Sequence, residues 1–163
     1  METIEAIFPL NVEPGFNTPE EAIAFSKSIA HERHNENISS CIGRLIRFAC
    51  WREDAVLLHL DNSKVLHFGC AQNVVDLTIE DDVTSNVPGG SRTQEIVLVR
   101  LAGREIYWRR GEMIRALDGN TVRRIQPSQS GFFLYVTNVG ILTIDMLIDR
   151  LTGRPFLFWG LTD

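Results

Sequence analysis

The residues able to do chemistry fall into three groups along this chain. His31 and His34 stand at i and i+3 with Glu32 between them, a spacing that brings two imidazoles near one metal ion if the segment is helical. His59, His67 and Cys70 follow, with Asp61 among them, and suggest a ligand set or a thiol with a base. The third group is aromatic and cationic: Trp51-Arg52-Glu53-Asp54 and Tyr107-Trp108-Arg109-Arg110. Tryptophan and arginine at strand ends are the types enriched where proteins bind other proteins.

Each group has a plainer reading. The first lacks an H-E-x-x-H pattern and sits at the end of an expected helix, where exposed histidines are ordinary surface. The second depends on the hairpin joining its members: a two- or four-residue loop sets His59 and His67 on opposite faces, and a three-residue loop on the same one. No P-loop, dinucleotide fingerprint or nucleophile elbow occurs. We therefore expect no catalytic residue, no metal and no cofactor. Binding is expected at Trp51, Trp108, Arg109 and Arg110, and at an acidic run formed by Asp76, Glu80, Asp81 and Asp82.

Charge is split along the chain. Residues 1–82 carry 14 acids and 6 bases, whereas residues 83–163 carry 7 acids and 10 bases, all of them arginine. A net charge of −5 argues against a general nucleic-acid binder, which needs a strongly basic face. No apolar run approaches the roughly 20 residues that span a bilayer. The acidic opening Met1-Glu2-Thr3-Ile4-Glu5 does not read as a secretory signal, so a cytoplasmic protein is expected. Cys41, Cys50 and Cys70 form no C-x-x-C pair and read as reduced structural thiols.

The elements that must position these residues are mostly strands. Ile4, Ala6, Phe8, Leu10 and Val12 alternate with mostly polar positions, and Pro9 among them points to a strand at a sheet edge. Thr18-Pro19-Glu20-Glu21 supplies an N-cap, a first-turn proline and a capping-box glutamate, predicting a helix from Pro19 to about Arg33. Strands are expected at Leu45 to Cys50, Ala55 to Leu60, Val65 to Phe68, Val74 to Ile79 and Ile96 to Leu101. Glu105 to Trp108 is expected to pair back after a turn at Ala102-Gly103-Arg104. Asp81 to Thr93 lacks periodicity and reads as a loop. Leu147-Ile148 and Phe156 to Trp159 complete the sheet, and the latter, apolar on both faces, is expected to be central or helix-covered.

Residues 36–68 align without a gap on 112–144 at an offset of 76. The seven identities are Glu36/Glu112, Ile38/Ile114, Gly43/Gly119, Arg47/Arg123, Leu58/Leu134, Asn62/Asn138 and Leu66/Leu142. The unit reads as a short helical turn closed by glycine, a strand and a hairpin, with the wider repeats at 36–80 and 112–159. At this offset His59, His67 and Cys70 face Tyr135, Thr143 and Met146, which are sheet residues and not ligands.

These observations describe one 163-residue α+β domain, mainly antiparallel sheet, with one N-terminal helix and an internal duplication. The function they favour is non-catalytic binding of another protein, in one version a toxin-neutralising protein presenting its acidic surface. The alternative is a small enzyme or ligand-binding protein with His59, His67 and Arg123 in a cleft between the repeats. A homodimer through the edge strand Ile4 to Val12 is a further expectation.

Overall fold

The computed structural model describes residues 1–9, 18, 20, 21, 24, 38–52, 55–71, 74–82, 95–128 and 131–162. Among them, period-two alternation produces eleven strands. These are β1 (Glu2–Ile7), β2 (Ile46–Arg52), β3 (Ala55–Leu60), β4 (Lys64–Ala71), β5 (Val74–Asp81), β6 (Ile96–Leu101) and β7 (Arg104–Arg109), then β8 (Val122–Pro127), β9 (Phe132–Val136), β10 (Gly140–Asp149) and β11 (Pro155–Thr162). A 3-10 turn at Ile38–Cys41 precedes β2, and helix α1 (Arg110–Leu117) precedes β8.

The strands form two sheets. One is the antiparallel meander β2-β3-β4-β5. The other holds seven strands around the long β10. One edge of β10 is taken by β11; the opposite edge is shared by β9 along Gly140–Ile144 and by β1 at Ile148 and Asp149. β1 in turn runs parallel to β6, which pairs with β7. The sheets share one apolar core to which all eleven strands contribute, with Phe68 edge-on to Phe132 across it at 5.7 Å. On the far side of the four-stranded sheet, Cys50, Leu57 and Val65 form a second, small cluster with Phe48.

The two meanders meet where their first strands begin. Leu45 pairs antiparallel with Thr121, the residue 76 positions on. Around that pair the backbone bonds recur in exchanged form. Gly43 N–H donates to Val122 O at 2.8 Å, and Gly119 N–H to Ile46 O at 2.7 Å. Ile46 N–H donates to Asn120 O at 2.8 Å, and Val122 N–H to Arg44 O at 3.0 Å. The bulge between Ile46 and Phe48 has its counterpart between Val122 and Arg124. Leu58 pairs with Leu66 as Leu134 pairs with Leu142. Gly43 and Gly119 both take left-handed backbone, with φ of 84° and 80°, where a Cβ would be strained.

Several expectations change. β1 ends at Ile7, before Pro9, and lies inside its sheet between β6 and β10, so it is not the edge strand a dimer would pair through. Alternation at Ile4 and Ala6 reports a buried face and is silent about neighbours. β11 pairs with β10 alone among the described strands; its half-buried Phe156 and Phe158 are covered by Trp108, not by a flanking strand. Trp51 and Arg52 belong to β2 rather than to the loop after it. Left-handed backbone in the two hairpin turns falls on Ser63 and Asn138, and Asn62 closes its turn by accepting the Lys64 N–H at 3.2 Å. The helix expected from Pro19 to Arg33 lies mostly outside the described residues, together with His31 and His34. Glu20, Glu21 and Ala24 are helical, and Thr18 Oγ1 accepts the Glu21 N–H at 3.2 Å, the expected cap. The loop expected over Asp81 to Thr93 is described only at Asp81, the last residue of β5, and Asp82.

Candidate functional site

The three tryptophans, scattered in sequence, converge in the structure. Trp51 occupies the inward face of β2 two residues after Ala49, and Trp159 the inward face of β11 two after Leu157. Trp108 comes from the end of β7. Its ring meets Trp159 edge-on at 4.7 Å and Phe158 at 4.9 Å, and Trp159 lies 5.8 Å from Trp51. Arg110 begins α1 two residues after Trp108. Its guanidinium carbon lies 5.1 Å from the Trp108 ring centre and 5.5 Å from that of Trp51, within cation–π range of both.

These residues line a cleft of about 560 Å³, a size suited to a few side chains or a small molecule. Arg52, Arg154, Glu2, Asp149 and Cys70 complete its wall. Arg52 and Arg154 are exposed and take part in no ion pair among the described residues. Arg110 is tied to Glu95 twice: its backbone N–H donates to Glu95 O at 3.2 Å, and its Nη2 donates to the Glu95 carboxylate. Arg110 Nε, Trp108 Nε1 and Trp159 Nε1 are buried without a hydrogen-bond partner. Three orphaned donors at one place are unusual, because each unmade bond costs about 1–3 kcal/mol. The Cys70 thiol is exposed, whereas Cys41 and Cys50 are buried.

The second histidine group takes a different form from the one its spacing suggests. The β3–β4 turn has three residues, Asp61 to Ser63, so His59 and His67 share a face, His59 opposite Val65 and His67 opposite Leu57. His59 Nδ1 hydrogen-bonds Asp82 Oδ2 at 3.0 Å, and Arg47 Nη2 donates to the same oxygen at 3.1 Å. His59 is 6% exposed and its Nε2 has no partner. Asp61, two residues on in sequence, is not the residue that holds it. Among the described residues no three histidine, cysteine, aspartate or glutamate side chains gather as a metal site.

The acidic run on β5 is also largely engaged. Asp81 pairs with Lys64, Asp82 with Arg47 and His59, and Glu80 Oε1 accepts from Thr78 Oγ1 at 3.4 Å. Asp76 is half-buried on the outward side of the strand. Arg109 is exposed beside the cleft but does not line it. Arg123 and Arg124 line a separate groove of about 640 Å³ with Tyr135, over which Arg124 stacks at 5.5 Å. That groove contains Arg123 but neither His59 nor His67.

Of the expected site residues, Trp51, Trp108 and Arg110 therefore meet, while Asp76, Glu80 and Asp81 lie on another strand and Asp82 just after it. Trp159, Arg154 and Glu95 escaped sequence reasoning. Trp159 sits in an apolar run that reads as core, and nothing local in the other two marks their distant partners. No helix among the described residues is long and apolar enough to cross a membrane. No protein-family model matches the chain, and neither do curated proteins or solved structures.

Proposed function

We propose that this protein is a non-catalytic binding domain that recognises another protein through the cleft walled by its tryptophans. The observation that carries this reading is the convergence of Trp51, Trp108 and Trp159 on one stacked guanidinium, with unpaired Arg52 and Arg154 at the same cleft. Aromatic and arginine side chains give large contact area at low entropy cost and orient acidic groups through a rigid fork. The acidic surface of β5 fits a toxin-neutralising role less well, because Lys64, Arg47 and His59 already offset two of its carboxylates.

We also infer that the domain arose by internal duplication of residues 36–80 as 112–159. The exchanged hydrogen bonds around Leu45 and Thr121, the matched bulges and the paired left-handed glycines support it. In this reading the cleft draws on both units but is not itself duplicated. Trp108 precedes the second unit, and the 76-residue counterpart of Trp51 is Pro127.

The cleft reading is tested by affinity purification from the native host with three versions of the full chain. Wild type and the Asp76→Asn/Glu80→Gln variant are expected to recover the same stoichiometric partner, and Arg52→Glu/Arg154→Glu to lose it. Loss with the β5 variant alone would move the interface to the acidic strand, and recovery of no partner by wild type would remove the reading.

A further inference from the structure

We propose that the anchor received by the tryptophan cleft is a carboxylate beside an aromatic or apolar group, seated on Arg110 in the place that Glu95 now holds. This rests on the cleft being the recognition site. The structure displays that chemistry with one of its own residues: Glu95, whose side chain is 56% exposed and does not itself line the cleft, binds the Nη2 of Arg110. Only half of the guanidinium fork is used this way. Nε, the other tooth, is buried without a partner. A carboxylate spanning Nε and Nη2 would satisfy both, in the bidentate geometry that suits guanidinium.

The surroundings favour the same class of ligand. Stacking on Trp51 and Trp108 fixes the guanidinium plane and limits its access to water, which strengthens a charge-assisted bond. Trp108, Trp159 and Phe156 offer apolar wall for the group next to the carboxylate. Three arginines line the cleft against two acids, Glu2 and Asp149, and Asp149 Oδ1 already accepts the Leu151 N–H at 2.9 Å. Arg52 and Arg154 take part in no ion pair among the described residues, so a cationic ligand would meet their charge directly.

Glu95 then acts as a built-in competitor. It satisfies Arg110 while the cleft is empty, and an incoming carboxylate must displace it. The group is an acidic side chain within a partner's segment; a free aryl acid, which would use the same fork, is the other outcome of the test.

The test is isothermal titration calorimetry on the full chain with acetyl-Phe-Glu-Phe-amide and 3-phenylpropionate, and with phenyl phosphate and 3-phenylpropylamine for comparison. Wild type is expected to bind the peptide and to ignore the amine. Glu95→Gln removes the competitor and is expected to tighten carboxylate binding about fivefold, the worth of one partly exposed ion pair. Arg110→Lys keeps the charge without the fork and is expected to weaken it at least about tenfold. Binding of the peptide but not the free acid assigns the anchor to a protein segment, and the converse to a small molecule. Equal affinity in wild type and Glu95→Gln overturns the displacement. A preference for phenyl phosphate or the amine overturns the ligand class. If no carboxylate binds while partner recovery still depends on Arg52 and Arg154, this proposal fails and the cleft remains the interface.

Discussion

Arg110 follows Trp108 by two residues, and the change from strand to helix between them folds the guanidinium back over the ring it has just passed. The short spacing thus produces one half of the site locally; Trp51 and Trp159 have to be brought by the sheets. Burial decides the behaviour of the cysteines in a similar way. Cys41 is fully buried, and desolvation pushes its thiol pKa above the ordinary value, whereas Cys70 is exposed at the cleft. Iodoacetamide at neutral pH under native conditions should therefore modify Cys70 and spare Cys41 and Cys50, as read by peptide mass spectrometry. Comparable modification of Cys41 would contradict its packing. Because the folded chain holds the Cys41 proton more tightly than the unfolded chain, this contribution to stability is complete below the unfolded thiol pKa. It is lost as pH rises through the folded one.

At the scale of elements, the turns ending at Gly43 and Gly119 do the same job in two places: each reverses the chain so that the residues just after it bond across to those after the other. Neither position has an atom within 4 Å of an added Cβ, so alanine at either meets only backbone strain. Gly43→Ala and Gly119→Ala should each cost about 1 kcal/mol in urea unfolding, and should match one another closely. A neutral change at one and a severe loss at the other would contradict their equivalence. Gly131 is a different case. A Cβ there would lie 1.8 Å from Ile144 O, a backbone atom that cannot step aside, so the constraint is packing and not φ.

Strand existence was largely legible in the sequence because alternation and turn residues are local signals. Ala55–Leu60 and Ile96–Leu101 appear with their expected bounds. Neighbour choice was not legible. Ile4 and Ala6 reveal a buried face, but nothing in them distinguishes a strand edge from the slot between β6 and β10. The apolar C-terminal strand looked central because both faces need cover, and a tryptophan from β7 supplies cover that no local pattern announces. For the site, Trp51, Trp108 and Arg110 could be singled out by residue type. Glu95 and Arg154 acquire meaning only from their partners in space, and the His59 environment depended on Asp82, 23 residues away, instead of on Asp61.

Across the whole molecule, the split in charge takes a spatial form. The acids of β5 meet Lys64, Arg47 and His59 within their own sheet, while arginines from β2, α1 and the β10–β11 turn gather at the tryptophan cleft. A chain with a net charge of −5 thereby presents a local surface of arginine and tryptophan. Such a surface draws an acidic partner by short-range contact more than by the field of the whole protein, so its binding should depend only moderately on salt. Recognition at this cleft would place the three indoles against the bound partner. The most direct test follows the three tryptophan indole N–H resonances and the β5 amides by NMR while acetyl-Phe-Glu-Phe-amide is added to the full chain. The account predicts saturable shifts at Trp51, Trp108 and Trp159 with the amides of Asp76 to Asp82 unmoved. Shifts confined to β5, with all three indoles unchanged, would contradict it.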